Sequence, residues 1–388
     1  MKVYIGCFGS GLGHASRMLE VARELTLEGG RVELSSSGEV AKLIRGKGYA
    51  CNSLPLADVR YSGTGEFSLR ETMMASPAIL ARTYHQLAME LSNMERFGPD
   101  VVLSDSALST VLAAKILRLP TYTVLNQLNL SSSHGGGGAP SRLLSTGTSA
   151  GMGKLWELSD EVLLPDLPPP YTISEKNLWG STVGKTRYIG FLTPTGNGVP
   201  DEAATEFSAD PRPKVFWQVS GPPRTRSGFL SLATEAAGAL SEKYAFVVSG
   251  GSPGSSSVAR RISGGWFYGW CEIADFYFRA CDLVISRAGH GTIGQTITSS
   301  KPALLVPIPR QPEQEGNAEK AARLGVSVNV PQDGLTSKRL ENAIDTLLAG
   351  EFSGKAERLG AWARGFDAKK EIVTTVAAAA SRGLPGRR

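Results

Sequence analysis

The feature that most restricts the fold is an alternation that runs through the chain twice. Apolar runs of strand length are followed by longer stretches of helical character, which is the rhythm of a parallel sheet with crossover helices. In the first half, strands are expected at 2–8, 31–36, 100–104 and 120–125, and helices at 15–29, 38–48 and 107–118. From about 190 to 213 the text becomes Thr-Pro-Thr-Gly-Asn-Gly-Val-Pro and then Asp210-Pro211-Arg212-Pro213, too rich in Pro and Gly for a regular element. The alternation restarts at Lys214 and continues through 228–242, 244–249, 274–280, 282–286, 291–299, 302–306 and 314–324. The expected fold is α/β, with two Rossmann-like, doubly wound domains facing a central cleft. The boundaries read as 1–190, a linker at 191–213, a second domain at 214–370, and a C-terminal helix and tail at 371–388. The helix-like stretch 352–382 fits either packing across both domains or closure of the second alone.

A chain of 388 residues, 41% of them hydrophobic, can bury two cores. Its net charge of +5 suits an anionic ligand or an anionic membrane surface. Nucleic acid is not an expected partner, because no basic stripe is interleaved with aromatics and no zinc-finger spacing occurs. The cysteines Cys7, Cys51, Cys271 and Cys281 form no C-x-x-C pair, which fits a reducing cytosol. The first eight residues read as a strand rather than a signal peptide, and no run approaches the ~18 apolar residues of a membrane span. A soluble or peripheral cytoplasmic protein is expected.

Two segments break the rhythm. Residues 66–97 hold Met73, Met74, Met89 and Met94 with Arg70, Arg82 and Arg96 interspersed. They suit an amphipathic helix pair packed on the core, or an adaptable surface that grips a greasy acceptor. Ser131 to Gly138, with His134 inside it, reads as a flexible loop beyond the strand that ends near Leu125. In an open parallel sheet the ligand crevice lies at the carboxyl ends of the strands, which puts this loop, and Asn126 and Gln127 before it, on the crevice edge.

The first strand runs into Gly9-Ser10-Gly11-Leu12-Gly13-His14 and then a helix. A glycine turn at a helix start lets backbone N–H groups approach a phosphate. This is not the dinucleotide fingerprint, because His14 stands where helix–strand packing needs a small residue, so a nicotinamide oxidoreductase is disfavoured. An imidazole facing the crevice is what a general base requires; the plainer role is a hydrogen bond within the turn. The strand ending Leu103-Ser104-Asp105 delivers a carboxylate that could orient the ring, or else cap the next helix. In the second half, Ser220-Gly221 and Arg287-Ala288-Gly289-His290-Gly291-Thr292 each follow a strand, offering N–H groups and a guanidinium to a diphosphate. Glu313, Gln314 and Asn317 supply the planar carboxylate and amides that fix sugar hydroxyls, or simply form a solvated helix start.

Taken together, these residues resemble the GT-B glycosyltransferases, in particular the MurG-like enzymes of family 28 and their neighbours in family 1. The most specific part is Ala280 to Thr292, followed by Lys301-Pro302-Ala303-Leu304-Leu305-Val306-Pro307, Glu313-Gln314 and Asn317-Ala318. The resemblance implies a donor half in which the glycine turn at Gly289 to Thr292, with Arg287, holds a diphosphate and the acid-glutamine pair reads the sugar. Gln295 stands where the family usually has a ribose-binding glutamate. The acceptor half would use Gly9 to Gly13, Asn126 and Gln127, with His14 as base and Asp105 as its partner. The implied reaction is inverting and metal-independent, needs no cofactor, and uses a nucleotide-sugar donor such as UDP-N-acetylglucosamine; no Asp-x-Asp pair for a divalent ion occurs. The implied acceptor is a lipid-pyrophosphate-linked sugar at the cytoplasmic membrane face. A UDP-N-acetylglucosamine 2-epimerase, a non-catalytic sugar binder, and transfer to a diacylglycerol or soluble glycoside are the competing readings.

Overall fold

The computed structural model describes residues 1–57, 76–127, 154–178, 185–196, 198–221 and 223–382. Met73, Met74 and the loop 131–138 lie outside these residues. The first sheet has seven strands in the order β3-β2-β1-β4-β5-β6-β7, all pairings parallel. Its strands are β1 Lys2–Cys7, β2 Arg31–Ser37, β3 Cys51–Leu54, β4 Val101–Asp105, β5 Thr121–Val124, β6 Glu161–Leu164 and β7 Thr186–Tyr188. Helices on both faces bury the central strands, which is why β1 and β4 read as continuous apolar runs rather than alternating ones. The second sheet is β10-β11-β9-β8-β12-β13-β14, from β8 Lys214–Gln218, β9 Ala245–Ser249, β10 Arg260–Ile262, β11 Gly265–Tyr268, β12 Leu283–Ser286, β13 Ala303–Leu305 and β14 Ser327–Asn329. Only β10 among these strands runs antiparallel, as an edge hairpin with β11.

Both sheets reverse their strand order once, and those reversals place the functional loops. In the first, α1 Leu12–Leu27 leads from β1 to β2 on one side, while β4 lies on the other, with Cys7 level with Asp105. The loop after β1 and the end of β4 therefore meet at the switch point, where an open parallel sheet leaves a crevice. In the second, β8 and β12 are the equivalent neighbours, with Gln218 level with Ser286, so Ser220-Gly221 and Gly289-His290 face one opening.

The chain passes between the domains twice. After β7 comes α6 Glu202–Ala209, a helix inside the stretch expected to be irregular. Asp201 accounts for it: its carboxylate accepts the Ala204 N–H at 2.9 Å and also the Tyr268 hydroxyl, while Ala203, Ala204 and Phe207 are buried. Near the C-terminus, α12 Phe352–Ala363 packs on the second domain, and α13 Ala368–Arg382 returns to the first, burying Ile372, Val373 and Val376 beside Val21 and Leu25 of α1. The region 352–382 is therefore two helices serving two domains.

The methionine-rich segment contributes α3 Ser76–Phe97. Its second half packs on the core through Met94 and Phe97, while its first half presents Leu80 and Tyr84 at 70% and 75% exposure. Among the described residues no helix is long and apolar enough to cross a membrane.

Candidate active site

The two domains enclose a cleft of ≈ 1770 Å³. On the first-domain wall, β1 turns sharply at Gly9, whose backbone passes so close to Ser37 that a Cβ would meet it at 2.6 Å. Gly11 then takes φ 88°, a left-handed value that favours glycine, and opens α1. Gly9, Ser10, Gly11, Leu12, Gly13, Asn126 and Gln127 all line the cleft.

His14 sits in the first turn of α1 with its side chain 20% exposed on the cleft wall. Its Nδ1 lies 3.0 Å from Oδ1 of Asp105, which is fully buried at the end of β4. With the Nδ1 proton directed at the carboxylate, Nε2 carries the lone pair that can take a proton from a ligand. The ring of Phe8 packs edge-on against the imidazole at 5.4 Å.

Arg17 is the residue that sequence reasoning missed. It stands three positions after His14 on the same helix face. Its Nε donates to Asp105 Oδ2 at 2.7 Å, and its NH2 group donates to Oδ1 and lies 3.1 Å from His14 Nδ1. Burial pushes the Asp105 carboxyl up, but Arg17 and then His14 outweigh it and hold the group at about 2. Asp105 is thus an anion throughout the neutral range, able to orient the imidazole and stabilise its cation. The remaining Arg17 NH1 group donates to Asn126 Oδ1 at 3.3 Å.

On the opposite wall lie Ser220, Gly221, Gly289, His290, Gly291, Thr292, Gln295, Glu313 and Gln314. Helix α9 His290–Thr298 starts at this wall with no side-chain cap on its first N–H groups. Gln218 and Trp270 also line this wall and were not singled out from sequence. Glu313, in the first turn of α10 Pro312–Arg323, is held from both domains: Asn126 Nδ2 donates to its Oε1 and Gln311 Nε2 to its Oε2, each at 3.3 Å. Gln314 turns its own oxygen inward, accepting the Ile308 N–H at 2.9 Å.

Three expected donor contacts behave differently. Arg287 is only 1% exposed and does not line the cleft. Its guanidinium donates to the carbonyls of Val306, Pro307 and Thr225 and stacks over Phe229, so it braces the loops behind the wall instead of meeting a diphosphate. Burial away from any carboxylate lowers its pKa to about 10. Asn317 is likewise buried, donating to the Ala288 carbonyl and accepting from Asn177, so it supports the glycine turn from beneath. His290 reaches the cleft wall, but its Nε2 is 3.0 Å from the buried carboxylate of Asp166 in the first domain, where it acts as an interdomain contact.

Residues 1–135 match the model of glycosyl transferase family 1, and residues 245–366 match the glycosyltransferase family 28 C-terminal domain. An uncharacterized glycosyltransferase of Methanosarcina acetivorans is 27% identical over 379 residues, covering 96% of this chain and 97% of the relative. The UDP-N-acetylglucosamine–N-acetylmuramyl-(pentapeptide) pyrophosphoryl-undecaprenol N-acetylglucosamine transferase of Prochlorococcus marinus is 39% identical, but over 69 residues, 17% of this chain and 19% of that one. Among solved structures, the spinosyn rhamnosyltransferase SpnG superposes with a TM-score of 0.70 at 18% identity, covering 97% of this chain and all of SpnG. A glycosyltransferase of Streptomyces sp. SF2575 superposes with a TM-score of 0.66, also at 18% identity, over 97% and 99% of the two chains. The chain is a glycosyltransferase of the GT-B fold, resembling family 1 over residues 1–135 and the family 28 C-terminal domain over residues 245–366.

Proposed function

We propose that this enzyme transfers a sugar, with N-acetylglucosamine the leading candidate, from its UDP conjugate to a lipid-pyrophosphate-linked sugar at the cytoplasmic membrane face, inverting the anomeric carbon without a metal. The observation that carries this is the cleft itself. It sets an imidazole with its Nδ1 held by a buried carboxylate across from an uncapped helix start and a fixed carboxylate. In the reaction His14 Nε2 takes the acceptor hydroxyl proton as that oxygen bonds to the anomeric carbon. The bond to the diphosphate breaks on the opposite face, and the imidazolium is stabilised by Asp105. In this reading the N–H groups at the start of α9, with Ser220 and Gly221, stabilise the charge of the departing diphosphate. On the same reading Glu313 binds sugar hydroxyls and Gln295 the ribose.

A nucleoside diphosphate donor gains support from SpnG and the Streptomyces sp. SF2575 enzyme, each solved with thymidine diphosphate. The short match to the pyrophosphoryl-undecaprenol N-acetylglucosamine transferase, over 69 residues, is the reason for naming this sugar and this acceptor class. A greasy acceptor gains support from Leu80 and Tyr84, exposed on α3, with Leu80 and Ile79 reaching the cleft.

The test is incubation with UDP-N-acetylglucosamine and a short-chain lipid-pyrophosphate sugar in excess EDTA, following UDP release and acceptor mass together in wild type and His14→Ala. Matched UDP release and mass gain, lost in the variant, support the reading. An isomerised sugar without UDP release, or activity that EDTA abolishes, would sink it.

A further inference from the structure

A line of hydrogen bonds crosses the cleft from the base to the carboxylate expected to read the donor sugar. It runs from His14 to Asp105, on to Arg17, then Asn126, and ends at Glu313 of the other domain. Asn126 is its only neutral link. The side chain is buried at the end of β5, between a guanidinium of its own domain and a carboxylate of the opposite one. Its amide has one orientation that satisfies both: Oδ1 must face Arg17, which has no lone pair to offer, and Nδ2 must face Glu313, which is acceptor-only when ionised.

Glu313 gains a fixed position from this contact. Gln311 holds Oε2 from within the second domain, and Gln311 is itself fixed because its Oε1 accepts the Gln314 N–H at 2.7 Å. Asn126 holds Oε1 from the first domain. A carboxylate already held in place loses less side-chain freedom when it takes up sugar hydroxyls. Arg17 in turn keeps Asn126 aimed, while its other N–H groups are spent on Asp105.

We propose that Asn126, which the sequence suggested as an acceptor contact, is instead a positioning residue for the donor sugar, bridging Arg17 beside the base to Glu313 across the cleft. This rests on the transferase reading above, in which Glu313 binds the donor's sugar. The bridge acts on the sugar and not on the nucleotide, so its loss weakens binding of a nucleotide sugar while leaving the bare nucleotide alone. A merely structural asparagine would weaken both together or neither.

The experiment is titration calorimetry of the full chain with UDP and with UDP-N-acetylglucosamine. Asn126→Asp keeps an acceptor for Arg17 but replaces the donor to Glu313 with a like charge. It is expected to weaken UDP-N-acetylglucosamine by roughly tenfold, the scale of one hydrogen bond to a charged group, and UDP by less than about twofold. Glu313→Gln alone weakens the nucleotide sugar too. Combined, the two restore a complementary pair, because the new amide can donate to the new carboxylate, so the double variant binds more tightly than the product of the two single losses predicts. Asn126→Ala, which removes both bonds without adding charge, should show the same sugar-selective loss and serves if the aspartate variant fails to fold. Equal weakening of both ligands, or strictly multiplicative losses, overturns the bridge while the transferase reading stands. If the folded wild type binds neither ligand, the UDP-sugar reading fails first and the bridge falls with it.

Discussion

Two histidine–aspartate pairs lie on the walls of the same cleft, each 3.0 Å apart and each in the first turn of a helix, yet they are built for different work. The difference lies in what the remaining polar atoms do. His14 keeps one nitrogen bonded to Asp105 and its side chain 20% open to the cleft. His290 is 4% exposed and gives its Nε2 to Asp166. Asp166 is already saturated by the N–H groups of Leu167, Ile173 and Ser174 and by the Ser174 hydroxyl. Asp105 instead shares its charge between an imidazole and the clamping Arg17. On the proposed mechanism the first pair exchanges a proton, while the second ties the domains together. Distance alone does not tell a base from a strut.

The largest expected effect is on turnover. His14→Ala should lower the transfer rate by roughly 10²–10⁴-fold, the range of a positioned general base, with little change in the midpoint of chemical unfolding. His290→Ala should do the reverse and leave the chemical step within about tenfold; a matching loss of turnover in a variant of unchanged stability would break the comparison. Next in size is Asp166→Ala, which strands several buried N–H groups together with the imidazole. It should destabilise the protein by about 3–5 kcal/mol in urea unfolding. A shift below about 1 kcal/mol would mean that Asp166 is no strut.

Acid sharpens the comparison because both carboxyls are held below their ordinary value, with burial opposing and a histidine partner favouring the anion in each. A depressed folded-state pKa adds stability that is present above the unfolded value and lost as pH falls through the folded one. For Asp105, lowered from 3.8 to about 2, the contribution is about 2 kcal/mol, complete above pH ~4 and fading toward pH ~2. Asp105→Asn should therefore flatten the stability profile in that window. An unaltered acid limb in urea unfolding would show that Arg17 does not hold the carboxyl down.

Much of this architecture was legible because the local pattern and the global fold agree. Val3, Tyr4 and Ile5, or Val101 to Leu103, are strands buried on both faces and read as such. The strand Cys51–Leu54 was not, because Cys-Asn-Ser-Leu is half-exposed at a sheet edge and carries no apolar run. The helix Glu202–Ala209 was hidden by the Pro/Gly residues around it, although Asp201 is a visible cap. In the site, His14 and Asp105 could be paired because both lie at strand ends of a parallel sheet. Arg287 and Asn317 were misplaced because a polar side chain near a cleft can point out to a ligand or in to backbone carbonyls, as Arg287 does to Val306, Pro307 and Thr225 and Asn317 to Ala288, and sequence spacing is the same for both. Arg17 was overlooked because a buried arginine on an otherwise apolar helix face gives no periodic signal of its partner.

The smallest expected effect separates the pairs through their aromatic neighbours. Phe8 meets the His14 ring edge-on at 5.4 Å, and Phe191 meets His290 at 5.8 Å. An aromatic contact of this kind contributes about 0.5–1.5 kcal/mol beyond burial. Phe8 lies half-buried on the cleft wall, so Phe8→Leu should relax the imidazole and lower kcat/KM by roughly two- to tenfold at unchanged unfolding midpoint. Phe191 is buried beside Gly294, where a Cβ would meet its ring at 2.8 Å, and it belongs to the core shared by Leu167 and Ile293. Phe191→Leu should accordingly lower the unfolding midpoint and leave kcat/KM nearly unchanged. If the two substitutions moved the same quantity, the aromatic rings would be generic packing, and the division between a poised pair and a structural one would have to rest on the hydrogen bonds alone.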